Sequence, residues 1–127
     1  IHNESGRFIC KWAPLKKNSS TSPFLKALPD DFELPVAHAE GRFVGAPGDA
    51  EKYVKDGHAA LLYGADVNGS SARIAGMQDD TGRVFGLMPH PERFLSKAHH
   101  YDPDWSRAEH GWGYYFFKGA AEAMAAA

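Results

Sequence analysis

Hydrophobic and polar residues alternate in the first part of the chain. Between Arg7 and Ala13, the side chains of Phe8, Cys10 and Trp12 fall on one face and charged residues lie among those on the other. Alternation over a short run predicts a half-buried strand. Because Cys10 shares its face with two aromatic residues, we expect it to be a small buried core residue. Residues 14–23 are polar and rich in Lys and Ser, and they predict a surface loop.

Short apolar runs predict further strands at residues 32–37 and 58–63. Pro35 argues against a central place in a sheet for the first of these, because proline cannot donate a backbone hydrogen bond. The apolar runs 73–77 and 83–88 flank an Asp-Asp-Thr-Gly segment, which predicts a β-hairpin.

Two segments have helical character. The segment 49–55 has Asp49 as a candidate N-cap and Gly57 as a stop signal. The segment 111–127 is rich in Ala and aromatic residues and predicts a terminal helix. We expect its buried face to hold Phe116, Phe117, Ala120 and Met124. Strands mixed with helices indicate a layered α/β domain.

Composition narrows the class of protein. The 127 residues suit one domain or part of one, and 43% hydrophobic with 24% charged residues is ordinary for a globular protein. The 16 acidic and 14 basic residues nearly cancel, so we expect no nucleic-acid partner. One cysteine excludes an internal disulfide and favours a reducing compartment. No apolar run suits a membrane span. Because the chain begins at Ile1 without Met, we expect a piece of a longer polypeptide.

The segment from Val84 to Phe94 carries the strongest chemical signal, because an apolar strand leads directly into His90-Pro91-Glu92. In an extended stretch, side chains two residues apart point to the same side. A carboxylate beside an imidazole fixes its tautomer and stabilises the imidazolium, as the base and its orienter do in a catalytic triad. A surface ion pair is the alternative. Cys10 lacks the glycine-flanked turn that exposes a nucleophile.

Three strings occur in order: Asn3–Phe8, Leu34–Phe43 and Asp80–Arg93. Together they resemble the glutaminase component of phosphoribosylformylglycinamidine synthase, a class I glutamine amidotransferase of purine biosynthesis. The combination of Met-Pro-His-Pro-Glu-Arg with Val-Ala-His-x-Glu-Gly-Arg-Phe makes the resemblance specific. Ala39 stands where this family usually has glycine.

The resemblance implies a flavodoxin-like α/β amidotransferase domain, of which residues 1–127 would be the C-terminal part with a hairpin and a terminal helix. It also implies a Cys-His-Glu triad in which His90 is the general base and Glu92 orients it. The family's nucleophilic cysteine lies in an upstream elbow, so we expect it outside this chain, and Cys10 falls at a strand position instead.

The implied reaction converts L-glutamine to glutamate and ammonia, which passes to a synthase subunit or domain. ATP and magnesium would belong to that partner, and the resemblance implies no cofactor in this chain and a cytoplasmic location. His38, Glu40 and Arg42 are candidates for the glutamine pocket or the synthase interface. The alternative is a loop held by a His-Glu or Arg-Glu pair.

Two other functions stay open at this point. The chain could be a docking module that has lost its nucleophile, or part of another class I amidotransferase or cysteine hydrolase. His99, His100 and His110 lack the ordered spacing of metal ligands, so we expect no metal site.

Overall fold

The computed structural model describes residues 1–19 and 21–126. In these residues the chain forms five strands, two α-helices and three short 3₁₀ turns. The strands are β1 (Ile9–Lys17), β2 (Asp31–His38), β3 (Leu61–Tyr63), β4 (Ile74–Gln78) and β5 (Phe85–Leu87). The helices are α1 (Asp49–Asp56) and α2 (Trp112–Ala125), and the 3₁₀ turns are Ser71–Arg73, Pro91–Arg93 and Lys97–His99. The predicted end of the terminal helix at Ala127 lies outside the described residues. Within the described ranges, neither α-helix has both the length and the apolar character that crossing a membrane requires.

The strands form one sheet in the order β2-β1-β3-β4-β5, and every pairing in it is antiparallel. The predicted β4–β5 hairpin is confirmed, with Met77 opposite Gly86. The position of Pro35 on an edge strand is confirmed as well. At the other edge, the N–H of Met88 donates to the carbonyl of Ala75, and the N–H of Asp79 donates to the carbonyl of Val84. Backbone groups alternate in direction along an antiparallel ladder, so those of residues 85 and 87 point away from β4.

Strand β1 is longer than its alternation predicts, and the predicted loop at residues 14–23 is wrong in its first four positions. β1 pairs with β2 over its first eight residues and with β3 over Leu15 to Lys17. Pro14 has no N–H to offer, but its carbonyl accepts a 2.8 Å hydrogen bond from Gly64. Pairing with residues distant in sequence therefore overrides the local polar composition.

The expected burial of Cys10 is also wrong, because Cys10 is exposed and the neighbouring Phe8 is 64% exposed. The buried face of β1 is the one that carries Ala13 and Leu15. On the opposite face only Trp12 is covered, by aromatic rings that lie beyond β2 in the sequence. The alternation correctly predicts a strand, but the covered face is set by those distant rings.

The main core lies between the sheet and α2. It includes an aromatic cluster on the Trp12 face of β1, in which Phe94, fully buried, lies 4.9 Å from Trp12 and 5.1 Å from Trp105, measured between ring centroids. The buried face of α2 consists of Trp112, Gly113, Phe116 and Gly119. Phe117 and Met124, which we expected on this face, are exposed because the helix turns its glycines toward the core.

Helix α1 covers a smaller cluster around Ala50, Ala59 and Ile74. The predicted stop at Gly57 is confirmed, since Gly57 takes the left-handed φ of 85° that ends a helix. The predicted N-cap is wrong by one position. Gly48 occupies the cap without a side-chain hydrogen bond, and Asp49 is the first helical residue, where its charge favours the helix dipole.

Candidate active site

His90 lies just beyond β5 and is tied to the far edge of the sheet. Its backbone N–H donates a 2.8 Å hydrogen bond to the carbonyl oxygen of Pro35 on β2. Proline on both sides of His90 limits the backbone of this segment to extended conformations. The backbone of His90 is therefore fixed by its own sequence and by a strand more than fifty residues upstream.

The 3₁₀ turn Pro91–Arg93 brings Glu92 back to His90. The Oε1 atom of Glu92 lies 2.7 Å from Nδ1 of His90. Because an ionised carboxylate can only accept, Nδ1 carries the proton and Nε2 keeps a free lone pair. The two side chains are 31% and 53% exposed, so reactants in solvent can reach the imidazole. Such a pair, called the dyad below, can act as a general base with its orienter. The turn Pro91–Arg93 that carries it is called the dyad turn.

The carboxylate of Glu92 is held in its charged form. Partial burial raises its pKa, but hydrogen bonds from its own backbone N–H and from His90, with the charges of His90 and Arg93, outweigh burial and hold the pKa of Glu92 below its ordinary value. An ionised Glu92 stabilises an imidazolium at His90. The pair therefore suits a histidine that takes up a proton during a reaction.

His38 lies at the end of β2 and is 6% exposed. Asn3 donates from Nδ2 to the carbonyls of Arg7 and His38, so its Oδ1 is an acceptor, and Nδ1 of His38 donates to it over 2.9 Å. Burial lowers the pKa of His38 and the charge of His90 lowers it further, while a backbone hydrogen bond offsets part of this. His38 is therefore an uncharged histidine within electrostatic reach of His90.

Glu40 and Arg42 do not join this group. Glu40 is exposed and lies 3.4 Å from Nδ1 of His2 at the surface. Arg42 donates from Nε to the carbonyl of Gly69 over 3.0 Å and lines an open, largely apolar groove of about 430 Å³ that Met88 also lines. Within the described residues, no ion pair joins Glu40 to His38 or Arg42, because Glu40 pairs with His2. Asn3, Gly69 and the backbone of Ile1 hold the loop by hydrogen bonds.

Sequence reasoning missed Asn3 as a site residue. Its side chain is 2% exposed and joins the N-terminal segment to the loop after β2, with a further N–H from Gly41 reaching its Oδ1 over 3.3 Å. Only glycine fits at position 41, because a Cβ there would lie 2.5 Å to 2.6 Å from atoms of the His38 ring. The only signal in the sequence was the place of Asn3 in the first of the three family strings.

Cys10, the one cysteine of the chain, lies on β1 opposite Ala37. Among the described residues, no hydrogen bond joins Cys10 to His90 or Glu92. The same residues contain no cluster of three or more His, Cys, Asp or Glu side chains placed to hold a metal ion. Of the candidate metal ligands, His100 instead pairs with Glu33 and stacks on Tyr101 and Trp105 inside the aromatic cluster.

A histidine held by a glutamate at the exit of a strand in an α/β domain can serve as the base of a hydrolytic or amidotransfer reaction. Comparison with known proteins gives the family. Residues 1–122 match the model of the CobB/CobQ-like glutamine amidotransferase domain, and the chain belongs to this family.

Several relatives are similar over most of the chain. The chain is 43% identical over 99 residues to phosphoribosylformylglycinamidine synthase subunit PurQ of Thermotoga maritima, and 48% identical over 99 residues to subunit PurQ of Parasynechococcus marenigrum. Each match covers 76% of this chain, with 43% of the first relative and 45% of the second. The chain therefore spans a little under half the length of these relatives.

A solved structure confirms the fold. The structure of PurLQS from Thermotoga maritima matches with a TM-score of 0.78 and 34% identity, covering 98% of this chain and 51% of that one. The predicted α/β amidotransferase fold with its hairpin and terminal helix is confirmed by this match. The predicted division, in which residues 1–127 form the C-terminal part of one domain, stays a prediction.

Proposed function

We propose that the chain is the base-bearing part of a glutaminase that supplies ammonia for phosphoribosylformylglycinamidine synthesis. The observation that carries the proposal is the 2.7 Å contact between His90 and Glu92, placed beyond β5 and held by Pro35, in a chain of the glutamine amidotransferase family. The identity to PurQ subunits supports the choice of reaction.

In the proposed mechanism, a cysteine thiolate supplied from outside residues 1–127 attacks the side-chain amide carbon of glutamine. Nε2 of His90 takes the thiol proton and then gives it to the departing amide nitrogen, so that ammonia leaves and a thioester forms. His90 next takes a proton from water, which hydrolyses the thioester to glutamate. Glu92 keeps Nδ1 protonated and stabilises the imidazolium in both steps.

The ammonia would pass to a synthase subunit, which is the partner we propose for this chain. The name PurLQS of the matching structure supports an assembly of this kind. ATP and magnesium would serve the synthase reaction, on the partner's side, and the proposed location is the cytoplasm. Glutamine would be the only substrate that this part of the assembly handles.

We assign the three loop candidates by their positions. Arg42 lines the same groove as Met88, two residues before His90, so it suits the glutamine pocket. His38 lies within electrostatic reach of His90, so it suits a place beside that pocket. An uncharged His38 adds no positive charge beside His90 and leaves its basicity intact. The side chain of Glu40 is 66% exposed and pairs with His2 at the surface, so it suits the synthase interface instead.

Replacing the proposed base tests the function. In the complete protein with its synthase, His90→Ala should lower glutamine-dependent synthesis by at least about 100-fold, the usual contribution of a general base. Synthesis with added ammonium should persist, because ammonia bypasses glutamine hydrolysis. The measurement is the initial rate of synthesis with each nitrogen donor.

Two further variants complete this experiment. Glu92→Gln should lower the same glutamine-dependent rate, since an amide does not stabilise the imidazolium. Lys55→Ala is the control, because Lys55 is exposed in the last turn of α1, outside the proposed site, and it should leave both rates unchanged. Equal loss of both rates in His90→Ala would contradict the proposed role, and full retention would favour the docking module.

A further inference from the structure

The N-terminus of α2 lies directly against the turn that carries the dyad. At Gly113, the second residue of the helix, an added Cβ would overlap the carbonyl oxygen of Pro91 and would lie 2.6 Å from its carbonyl carbon and 2.8 Å from the carbonyl oxygen of Phe94. Contacts closer than 3.0 Å are essentially never seen for a real Cβ. Only glycine therefore lets the helix end approach the turn this closely.

Backbone hydrogen bonds join the two segments. The N–H of Gly113 donates to the carbonyl of Phe94 over 2.8 Å, and the N–H of Gly111 donates to the carbonyl of Leu95 over 3.2 Å. The first N–H groups of a helix have no partner inside the helix, so these bonds satisfy donors that need one. The end of the dyad turn thus takes the place of an N-cap side chain for α2.

The turn has little freedom to move away from the helix. His90 is bound to Pro35 on one side, and Phe94 is fully buried in the aromatic cluster on the other. Within the turn, Phe94 N–H donates to Pro91 and Arg93 N–H donates to His90. A packed core has low compressibility. We therefore expect a steric clash at the carbonyl of Pro91 to shift Glu92 relative to His90.

We infer that Gly113 is a positioning residue for the His90–Glu92 pair, and that α2 sets the geometry of the dyad through it. The inference rests on the proposed function, because it concerns the alignment of the base and its orienter. Gly113 itself touches neither glutamine nor the reacting atoms. Its contribution is the room that its missing side chain leaves for the Pro91 carbonyl.

The chain supplies a matched control in the same helix. At Gly119, also buried in α2, an added Cβ would overlap the carbonyl oxygen of Pro23, which belongs to the segment between β1 and β2. Gly113→Ala and Gly119→Ala therefore share the gain in helix propensity and a clash with a carbonyl. They differ in the segment that the clash displaces, and in the number of backbone atoms closer than 3.0 Å to the added Cβ, which is three at Gly113 and one at Gly119.

The experiment compares both variants with the wild type in the complete protein with its synthase. For Gly113→Ala we expect kcat with glutamine to fall by about 100-fold, the cost of misplacing a catalytic group by about 1 Å. The KM for glutamine and the ammonia-dependent rate should not change. For Gly119→Ala we expect a lower Tm with unchanged kinetics.

Other outcomes overturn the inference. If both variants lose activity in proportion to their loss of Tm, or if Gly113→Ala keeps the wild-type kcat, α2 does not position the dyad. Should Gly113→Ala fail to fold, Trp112→Leu loosens the same helix end without a clash, and it must show the same fall in kcat with an unchanged KM and an unchanged ammonia-dependent rate. His90→Ala assayed in parallel separates the two proposals, since its full activity would remove the proposed function rather than the role of Gly113.

Discussion

His38 and His90 are histidines of one chain that are held for different purposes. Each carries its proton on Nδ1, because Asn3 accepts it in the first case and Glu92 in the second. The partner of His38 is a neutral amide in a buried place, and burial lowers the pKa of His38. The partner of His90 is a carboxylate, which favours the charged imidazolium. The same side chain is thus kept neutral at one position and ready to take a proton at the other.

Cys10 offers a prediction at this scale. Because it lies on an exposed part of β1 without a turn that would activate its thiol, Cys10→Ser should leave the glutamine-dependent rate of the complete protein nearly unchanged. The measurement is kcat and KM for glutamine, with circular dichroism to confirm folding. An inactive but folded variant would show that Cys10 takes part in the reaction.

The residues of the dyad could be predicted from the sequence because they are two positions apart, so local geometry alone brings them to one side. The exposure of Cys10 could not. Alternation indicates which side chains share a face, but the covering of that face depends on rings from residues 94–101. Asn3 was out of reach for the same reason, since its partners in the loop after β2, His38 and Gly41, lie 35 and 38 residues away.

At the scale of elements, His58 joins the end of α1 to the β4–β5 hairpin. Its Nε2 lies 2.6 Å from Asp80 in the hairpin turn, and its Nδ1 lies 2.7 Å from Asp56, the last residue of α1. Hydrogen bonds to Asp80 and then to Asp56 raise the pKa of His58, and partial burial offsets little of this. The backbone hydrogen bond from His58 lowers the pKa of Asp56, and the charge of Lys52, one turn earlier in α1, adds to this effect.

This contact predicts a pH-dependent stability. Because the pKa of His58 is higher in the folded state, its contribution is complete below the ordinary histidine pKa of about 6.5 and is lost as pH rises through the folded value. His58→Gln should therefore lower the urea midpoint at about pH 5.5 and have little effect at about pH 9. His99→Gln is the control, as His99 has no carboxylate partner in the described residues. An equal loss at both pH values would contradict the ion pairs.

Elements formed by neighbouring residues could be predicted, as the hairpin shows. The limits of β1 could not, because Pro14 to Lys17 become a strand through pairing with β2, Gly64 and β3, all distant in sequence. The buried face of α2 was misjudged because hydrophobicity favours Phe117 over Gly113 and Gly119. The helix instead uses its glycines to reach backbone carbonyls.

At the scale of the whole molecule, the candidate site and the hydrophobic core share one residue, Phe94. Phe94 ends the dyad turn, packs between Trp12 of β1 and Trp105, and accepts a hydrogen bond from the first turn of α2. The sheet, the site and the terminal helix therefore meet at one fully buried side chain. A change in this side chain must affect folding and reaction together.

Truncating Phe94 tests this coupling. In the complete protein, Phe94→Ala should lower the free energy of unfolding by about 3–5 kcal/mol, the usual cost of removing a buried ring, and should also lower the glutamine-dependent kcat. Phe117→Ala removes a ring that is 46% exposed on α2 and should change stability by less than about 0.5 kcal/mol. Urea unfolding and initial rates measure both effects. A stable but inactive Phe94→Ala, or an unstable but fully active one, would separate the site from the core.

The two edges of the described sheet differ in one respect that affects how copies of the chain can aggregate. At β2 the central position is Pro35, whose carbonyl is already bonded to His90 and whose nitrogen carries no hydrogen. At β5 the outward groups of residues 85 and 87 have no strand partner within the described chain. Unpaired backbone groups at a sheet edge are a template on which another chain can add a strand. Strand addition is therefore open at the described β5 edge and obstructed at the centre of β2.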